Sequence, residues 1–279
     1  MSVRDASPAS MKPLFSTTTV GRGQLAFAWF NDYSGVVMKT SSGYLVVDPF
    51  GVGAIYLPAP QSILLTHEHP DHFDIELVRE LWLAAYKRWR QEYAIDEEEV
   101  LPLLQRGTTR LPSIVADPTT YQELEEELSI HLQRRRRSSE EFLEEEHPYL
   151  KRVEPGDTVD IDVATVHVFD SNHPPAATPV TYLIITEDGV TVYHTSDSLP
   201  FEGMRDIGQR FDVDICFCPV GIAPGVTPET GAKIARLVRP KVAVPYHGPL
   251  AAREKFAKIV SRYKIKALVP GKCRVYAFG

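Results

Sequence analysis

The chain has 279 residues and a formal net charge of -7, from 30 basic and 37 acidic side chains, with nine histidines and three cysteines. Hydrophobic residues at 43% and charged residues at 24% are those of a globular protein, so a fibre, a disulfide scaffold and wholesale disorder are excluded. The acidic balance argues against capture of nucleic acid or an anionic membrane by the field of the whole protein, and the length allows one large domain or two small ones.

Met1 to Thr19 is rich in Ser, Thr and Pro and lacks the apolar stretch of a signal peptide, and no run reaches the length of a membrane helix. Cys216, Cys218 and Cys273 are odd in number and have no framework spacing, which fits a reducing compartment; a soluble, cytoplasmic protein is expected. From Gln24 onward, short apolar runs bounded by turn residues predict strands at Gln24 to Phe30, Gly35 to Lys39, Tyr44 to Val47 and Ser62 to Leu65. Val78, Leu81, Trp82, Ala85, Trp89 and Tyr93 then recur at spacings of three and four, the pattern of an amphipathic helix. A shorter helix is predicted around Glu97 to Gln105 and a brief strand at Ser113 to Ala116.

Asp117 before Pro118 reads as an N-cap with proline at the first helical position, and the helix that follows is acidic early and ends in Arg134 to Arg137, complementing its dipole. Ser138 and Glu141 have capping-box spacing for a last short helix before Pro148. Beyond the Pro155-Gly156-Asp157 turn, alternation at Val159, Ile161 and Val163, continued by Val166 and Val168, predicts strands. Val180 to Thr186 and Val190 to Thr195 flank a hairpin turn at Asp188-Gly189. Further strands are predicted at Ile215 to Pro219, Lys241 to Tyr246, Lys266 to Val269 and Arg274 to Phe278, with helices at about Pro228 to Val238 and Leu250 to Tyr263. Cys216 and Cys218 share one face of their strand and are expected to pack in the core.

Thr66-His67-Glu68-His69-Pro70-Asp71-His72 follows a predicted strand and precedes a predicted helix, and brings four donors into six residues. Neutral imidazoles and a carboxylate suit zinc and similar ions. Other donors stand where predicted strands run out into loops: His173 after Val166 to Phe169, Asp197 after Val190 to Tyr193, and His247 after Val242 to Tyr246. That is the placement of a site built from loops on a rigid scaffold. His131, His147 and His167 have no motif support, and no glycine-rich nucleotide-binding sequence is present.

With these residues the chain resembles the metallo-β-lactamase superfamily of metal-dependent hydrolases, from about Gly35 to Phe278. Val46-Val47-Asp48-Pro49, Asp214 to Gly221 and Pro240 to Gly248 are similar to its strand segments, and Asp48-Pro49 with Pro245-Tyr246-His247-Gly248 is most similar to the subgroup of ascorbate-6-phosphate lactonase. The resemblance implies an α/β fold, a four-layer αββα sandwich, over a single domain of residues 1–279 with a helical elaboration at about 74–150. It implies two divalent ions, zinc first and manganese or iron as alternatives. His67, His69 and His173 would hold one ion and Asp71, His72 and His247 the other, with Asp197 bridging.

The expected activity is hydrolysis of a small ester, lactone or phosphodiester by a hydroxide held between the ions, with Asp71 orienting or deprotonating the nucleophile and His194 or a metal-bound water as proton donor to the leaving group. Alternatives are a nuclease of the same architecture and a metal-binding regulatory protein without turnover. A small-molecule substrate is the expected partner, without nucleic acid or membrane, and a homo-oligomer is compatible. Two departures stand out: Ser196 precedes Asp197 where many relatives have Gly, and the helix-rich stretch is longer than the core fold needs. Its aromatic residues Trp82, Tyr86, Trp89 and Tyr93 would either cover the pocket or, as the periodicity favours, form a packed helix face or a subunit interface.

Overall fold

The computed structural model describes residues 4–94, 111–136 and 149–279, with only the backbone of residues 128–136. Among the described residues, fourteen strands form two seven-stranded sheets. The first contains β1 (Leu25–Trp29), β2 (Val36–Lys39), β3 (Tyr44–Val47), β4 (Ser62–Leu65), β5 (Ser113–Ala116), β6 (Leu150–Arg152) and β14 (Tyr276–Phe278), in the order β14-β1-β2-β3-β4-β5-β6. The second contains β7 (Thr158–Ile161), β8 (Ala164–Asp170), β9 (Val180–Thr186), β10 (Thr191–His194), β11 (Ile215–Pro219), β12 (Val242–Tyr246) and β13 (Lys266–Ala267), in the order β13-β12-β11-β10-β9-β8-β7. Each sheet is antiparallel over its first three pairings and parallel over the next three, counting from β14 in one and from β7 in the other. The two halves therefore share one connection pattern without a short sequence repeat.

Alternation along the strands sorts side chains into three apolar layers. Phe27, Trp29, Val36, Leu64, Tyr182, Ile184, Phe217 and Tyr246 pack between the sheets, with the Phe27 and Phe217 rings edge-on at 5.3 Å. The far face of the first sheet is covered by α1 (Met11–Thr17), α2 (Ile75–Glu92) and α3 (Pro118–Arg136) through residues such as Met11, Phe15, Leu77, Leu81 and Leu124. The far face of the second is covered by α4 (Gly203–Arg210), α5 (Pro228–Val238) and α6 (Leu250–Ser261) through Met204, Ile207, Ile234, Leu237 and Phe256. Strands buried on both faces read as continuous apolar runs, which is why Ile215–Pro219 and Val242–Tyr246 have no polar alternation. The αββα sandwich is thus the observed fold.

Local chemistry sets the element ends. Asp74 caps α2 by accepting from the Leu77 amide, and Asp117 caps α3 by accepting from Thr119 and Thr120. Thr227 and Thr230 form a reciprocal capping box on α5 with Pro228 in its first turn. Gly231 lets α5 lie on β11, because a Cβ there would come within 2.4 Å of the Pro219 carbonyl oxygen.

Three elements escape the periodicity reading: α1, α4 and β6. Each is short, and α1 lies in a stretch rich in Ser, Thr and Pro. Within the 74–150 stretch the predicted strand Ser113–Ala116 is present as β5 and pairs in the sheet between β4 and β6. The helices predicted around 97–105 and from Ser138 lie outside the described residues. The aromatic stripe of α2 packs: Trp82 stacks on Tyr86, lies 4.2 Å from the Tyr149 ring and donates to the Pro112 carbonyl, and Trp89 is buried. Cys216 and Cys218 are buried free thiols with sulfurs 3.6 Å apart. No helix among the described residues is long and apolar enough to cross a membrane.

Candidate metal centre and active site

The donors gather at one end of the sandwich, where β4, β8, β10 and β12 give way to loops. His67 and His69 follow β4 directly, and His72 closes the turn before α2, its amide and that of Phe73 donating to the His69 carbonyl. From the second sheet come His173 after β8, Asp197 after β10 and His247 after β12. They form three sets in which the donor atoms lie within 4.8 Å of one another: His67, His69 and His173; His67, His72 and Asp197; and Asp71, His72 and His247. Asp197 thus stands with one residue from each of the other two sets.

The residues fit divalent cations by two tests. First, the donor atoms converge without satisfying one another. His67 Nε2, His72 Nε2, His247 Nε2 and Asp197 Oδ1 are buried without a hydrogen-bond partner. His247 Nε2 lies 2.9 Å from Asp197 Oδ1, close but not aligned as a hydrogen bond, and His72 Nε2 lies 3.3 Å from Asp197 Oδ2. His173 Nε2 and His69 Nδ1 are 3.3 Å apart. Two nitrogens each about 2.05 Å from a tetrahedral ion are separated by about 3.3 Å, so this pair already spans a tetrahedron's edge.

Second, several rings have their other nitrogen engaged. His72 Nδ1–H donates to Asp48 Oδ2 at 3.0 Å, and His247 Nδ1–H donates to the Gly221 carbonyl at 3.0 Å. His67 Nδ1 lies 3.1 Å from Thr66 Oγ1 and 3.4 Å from Ser196 Oγ. Each contact orients its ring and leaves the Nε2 lone pair facing inward.

Electrostatics leave two of the rings neutral and hold the third, in the ion-free chain, as a cation beside Asp197 that must release its Nε2 proton for a metal to bind. Burial, reinforced by the neighbouring His72, holds His67 well below the usual histidine value, and burial lowers His173, so both are neutral and have lone pairs to give. Burial alone would also lower His72, but Asp197 and Asp48 override it and raise it to about 10. Burial would raise Asp197, yet His72 and His247 hold it well below the usual carboxylate range.

Asp48 is the residue whose importance sequence reasoning understated, having entered only through the similarity of an Asp-Pro segment. It is fully buried, and its Oδ2 accepts from Ser34, Thr66 and His72 while its Oδ1 accepts from the Thr66 amide. Asp48, Ser196 and His247 have φ of 47°, 48° and 51°, left-handed values that cost non-glycine residues energy and gather here at the donor-bearing strand ends. The serine before Asp197 therefore occupies a conformation that suits glycine, and its hydroxyl is used, lying 2.7 Å from Thr66 Oγ1. Tyr182 and Tyr246 brace the floor by donating to the carbonyls of Leu65 and Ser196.

His194 joins none of the three sets. It has no exposed surface, its Nε2–H donates to the Ser34 carbonyl at 2.9 Å, and its ring packs on Phe217 and Tyr246. Sealed in this way it supports the Ser34–Asp48 network. Asp71, half-buried, faces the same set as His72 and His247. Beside His247, the Tyr33 ring at 5.5 Å and Phe50, 5.7 Å from Tyr33, supply an aromatic wall.

A cavity of about 330 Å³ lies at the other end of the strands, lined by Ser42, Pro60, Arg88, Trp89, Tyr93 and Asp162 among others. It contains none of the donors, so the stripe of α2 leads away from them.

Residues 28–247 match the family described as a beta-lactamase superfamily domain. A UPF0173 metal-dependent hydrolase from Myxococcus xanthus is 25% identical over 250 residues, covering 86% of this chain and 76% of that protein. Another of the same description, from Staphylococcus carnosus, is 36% identical over 99 residues, covering 33% of this chain and 43% of that protein, less than half of its length. The solved structure of a metallo hydrolase from the archaeon Ignicoccus hospitalis has a TM-score of 0.58 at 16% identity, covers 92% of this chain and 99% of that one, and speaks to the fold.

Proposed function

The chain belongs to the beta-lactamase superfamily, and from that premise we propose that it is a hydrolase with a dinuclear metal centre that cleaves a small ester, lactone or phosphodiester. The observation that carries this reading is the convergence of buried, unpartnered imidazole nitrogens and the Asp197 carboxylate on shared points, with the outer nitrogens of His67, His72 and His247 already engaged. His67, His69 and His173 would hold one ion; Asp71, His72 and His247 the second; Asp197 would bridge. The all-nitrogen first set suits zinc best, and the carboxylates of the second admit manganese or iron. Bound divalent ions would supply a water of lowered pKa as nucleophile and Lewis-acid polarisation of the scissile carbonyl or phosphoryl oxygen.

The remaining work falls to side chains of this chain. A carboxylate oxygen of Asp71 accepts the nucleophile's proton and holds it within reach of the leaving group. Asp48 and the Gly221 carbonyl keep the His72 and His247 rings in the tautomer that presents Nε2. Tyr33 and Phe50 exclude water on the His247 side. A lactone is the first substrate to try, because Asp48-Pro49 and Pro245 to Gly248 are similar to segments of the ascorbate-6-phosphate lactonase subgroup. We place the enzyme in the cytoplasm, where Cys216, Cys218 and Cys273 stay reduced.

The test is metal analysis of the purified protein together with a panel of lactones, phosphodiesters and thioesters, with His67→Ala as control. Up to two divalent ions per chain and turnover lost in the control are expected. Full turnover by metal-free protein would overturn the reading.

A further inference from the structure

The first donor set is split between the sheets: His67 and His69 belong to the end of β4, whereas His173 sits in the segment 171–179 between β8 and β9. Its geometry therefore depends on how that segment is held against the other sheet. At its start the segment is tied within its own half, with the Asn172 amide donating to Ser198 Oγ at 2.9 Å and the Leu199 amide to the Asn172 carbonyl at 2.9 Å. Beyond His173 its polar ties cross to the first sheet. The Ala177 amide donates to Glu68 Oε1 at 2.8 Å, the Thr178 hydroxyl to Asp117 Oδ1 at 2.6 Å, and the Val180 amide to the Thr66 carbonyl at 3.0 Å. The Thr119 amide also donates to Thr178 Oγ1 at 3.1 Å.

Resting on the metal-centre reading, we infer that Glu68 and Asp117 form a two-point clamp that sets His173 against His67 and His69, and so are positioning residues for the first metal. Glu68 lies between two of the donors in sequence, so one tripeptide supplies two ligands and the strut for the third. Asp117 caps α3 with the same Oδ1 that receives Thr178, which ties the segment to a rigid helix start.

Stability alone is a poor account of this pair. Glu68 Oε2 and Asp117 Oδ2 are buried without a hydrogen-bond partner, an arrangement that costs free energy. Glu123, on α3, faces the same carboxylates, and its own carboxyl is raised by burial first and then by Glu68 and Asp117. Acids accumulate where the segment must be held by acceptors.

The experiment is titration of the metal-stripped full chain with Zn²⁺ against a chromophoric chelator, repeated with Co²⁺ for its coordination-sensitive absorption, alongside melting of the metal-free protein. Glu68→Ala and Thr178→Val should each weaken one metal equivalent by ~10–100-fold, the range for removing an outer partner of a ligand, and change the cobalt spectrum while leaving the other equivalent unchanged. Thr178→Val spares the α3 cap, so it tests the Asp117 tie without unfolding the helix. Glu68→Gln keeps an acceptor oxygen and should restore affinity to within about threefold of wild type. Wild-type affinity in both Glu68→Ala and Thr178→Val would overturn the clamp. So would equal loss at both equivalents with a lowered melting temperature, or a Gln variant no better than Ala. A wild-type chain that binds no metal would overturn the metal-centre reading, and the clamp with it.

Discussion

The two ends of the sandwich differ in kind. At one end the loops after β4, β8, β10 and β12 bring together His67, His69, Asp71, His72, His173, Asp197 and His247, with buried nitrogens and a carboxylate oxygen left unpartnered. At the other, residues before β4 and β5 and the far turns of α2 enclose about 330 Å³, yet none of the unpartnered buried atoms among the described residues lines that space. Open volume marks where side chains fail to fill, whereas unsatisfied buried donors mark where a charge is missing. Here the second sign stands at the proposed metal centre.

Perturbing both ends sharpens that contrast. The largest effect is expected from Asp197→Ala, which removes the carboxylate that stands with His67 and His72, one residue from each of the other two sets: hydrolysis should fall by more than the ~10–100-fold typical of an outer partner, with metal content falling in parallel by mass spectrometry. Retained activity and metal would break the comparison. Next comes Asp48→Ala, which removes the carboxylate at His72 Nδ1 and leaves only hydroxyl contacts there, and should cost ~10–100-fold in metal affinity by chelator competition, with less lost in Asp48→Asn, which keeps an acceptor oxygen.

At the far end, Trp89→Ala should lower unfolding free energy by ~3–5 kcal/mol in denaturant titration, the usual range for a buried aromatic, while metal affinity and KM stay at wild type. The smallest effect is expected from Arg88→Ala. This exposed side chain lies 3.9 Å from Glu92 and 6.0 Å from the Tyr44 ring centroid, so stability should change by at most ~0.5 kcal/mol and turnover not at all. A change in turnover from either far-end variant would show that the cavity is coupled to the donors.

Much of this was legible beforehand. Ile215–Pro219, Val180–Thr186 and Pro228–Val238 appear with the predicted ends, because long apolar runs and a Thr-Pro start leave few alternatives. The seven residues that the family resemblance implied as ligands lie together at one end of the sandwich, and a compact His-Asp motif with single donors at strand ends is what made them visible. Helix α4 is not legible in the sequence: its Gly203, Asp206 and Gly208 are weak helix formers in a piece of only eight residues, and burial of Met204 and Ile207 against the second sheet stabilises it. His194 stands apart from the three donor sets for the related reason that distance from Asp197 along the chain says nothing of which side of a strand end a ring occupies.

By itself the sequence determined the strand and helix types, the apolar faces and the list of donors, since these follow from periodicity, capping and the chemistry of single side chains. Only the tertiary structure decided which donors share a point, that Asp48 orients His72, that Ser196 takes a left-handed backbone, and that Glu68 and Asp117 hold the segment carrying His173. Those relations join residues far apart in the chain, Asp71 with His247 and Glu68 with Ala177 among them, and such contacts exist only once both sheets have packed.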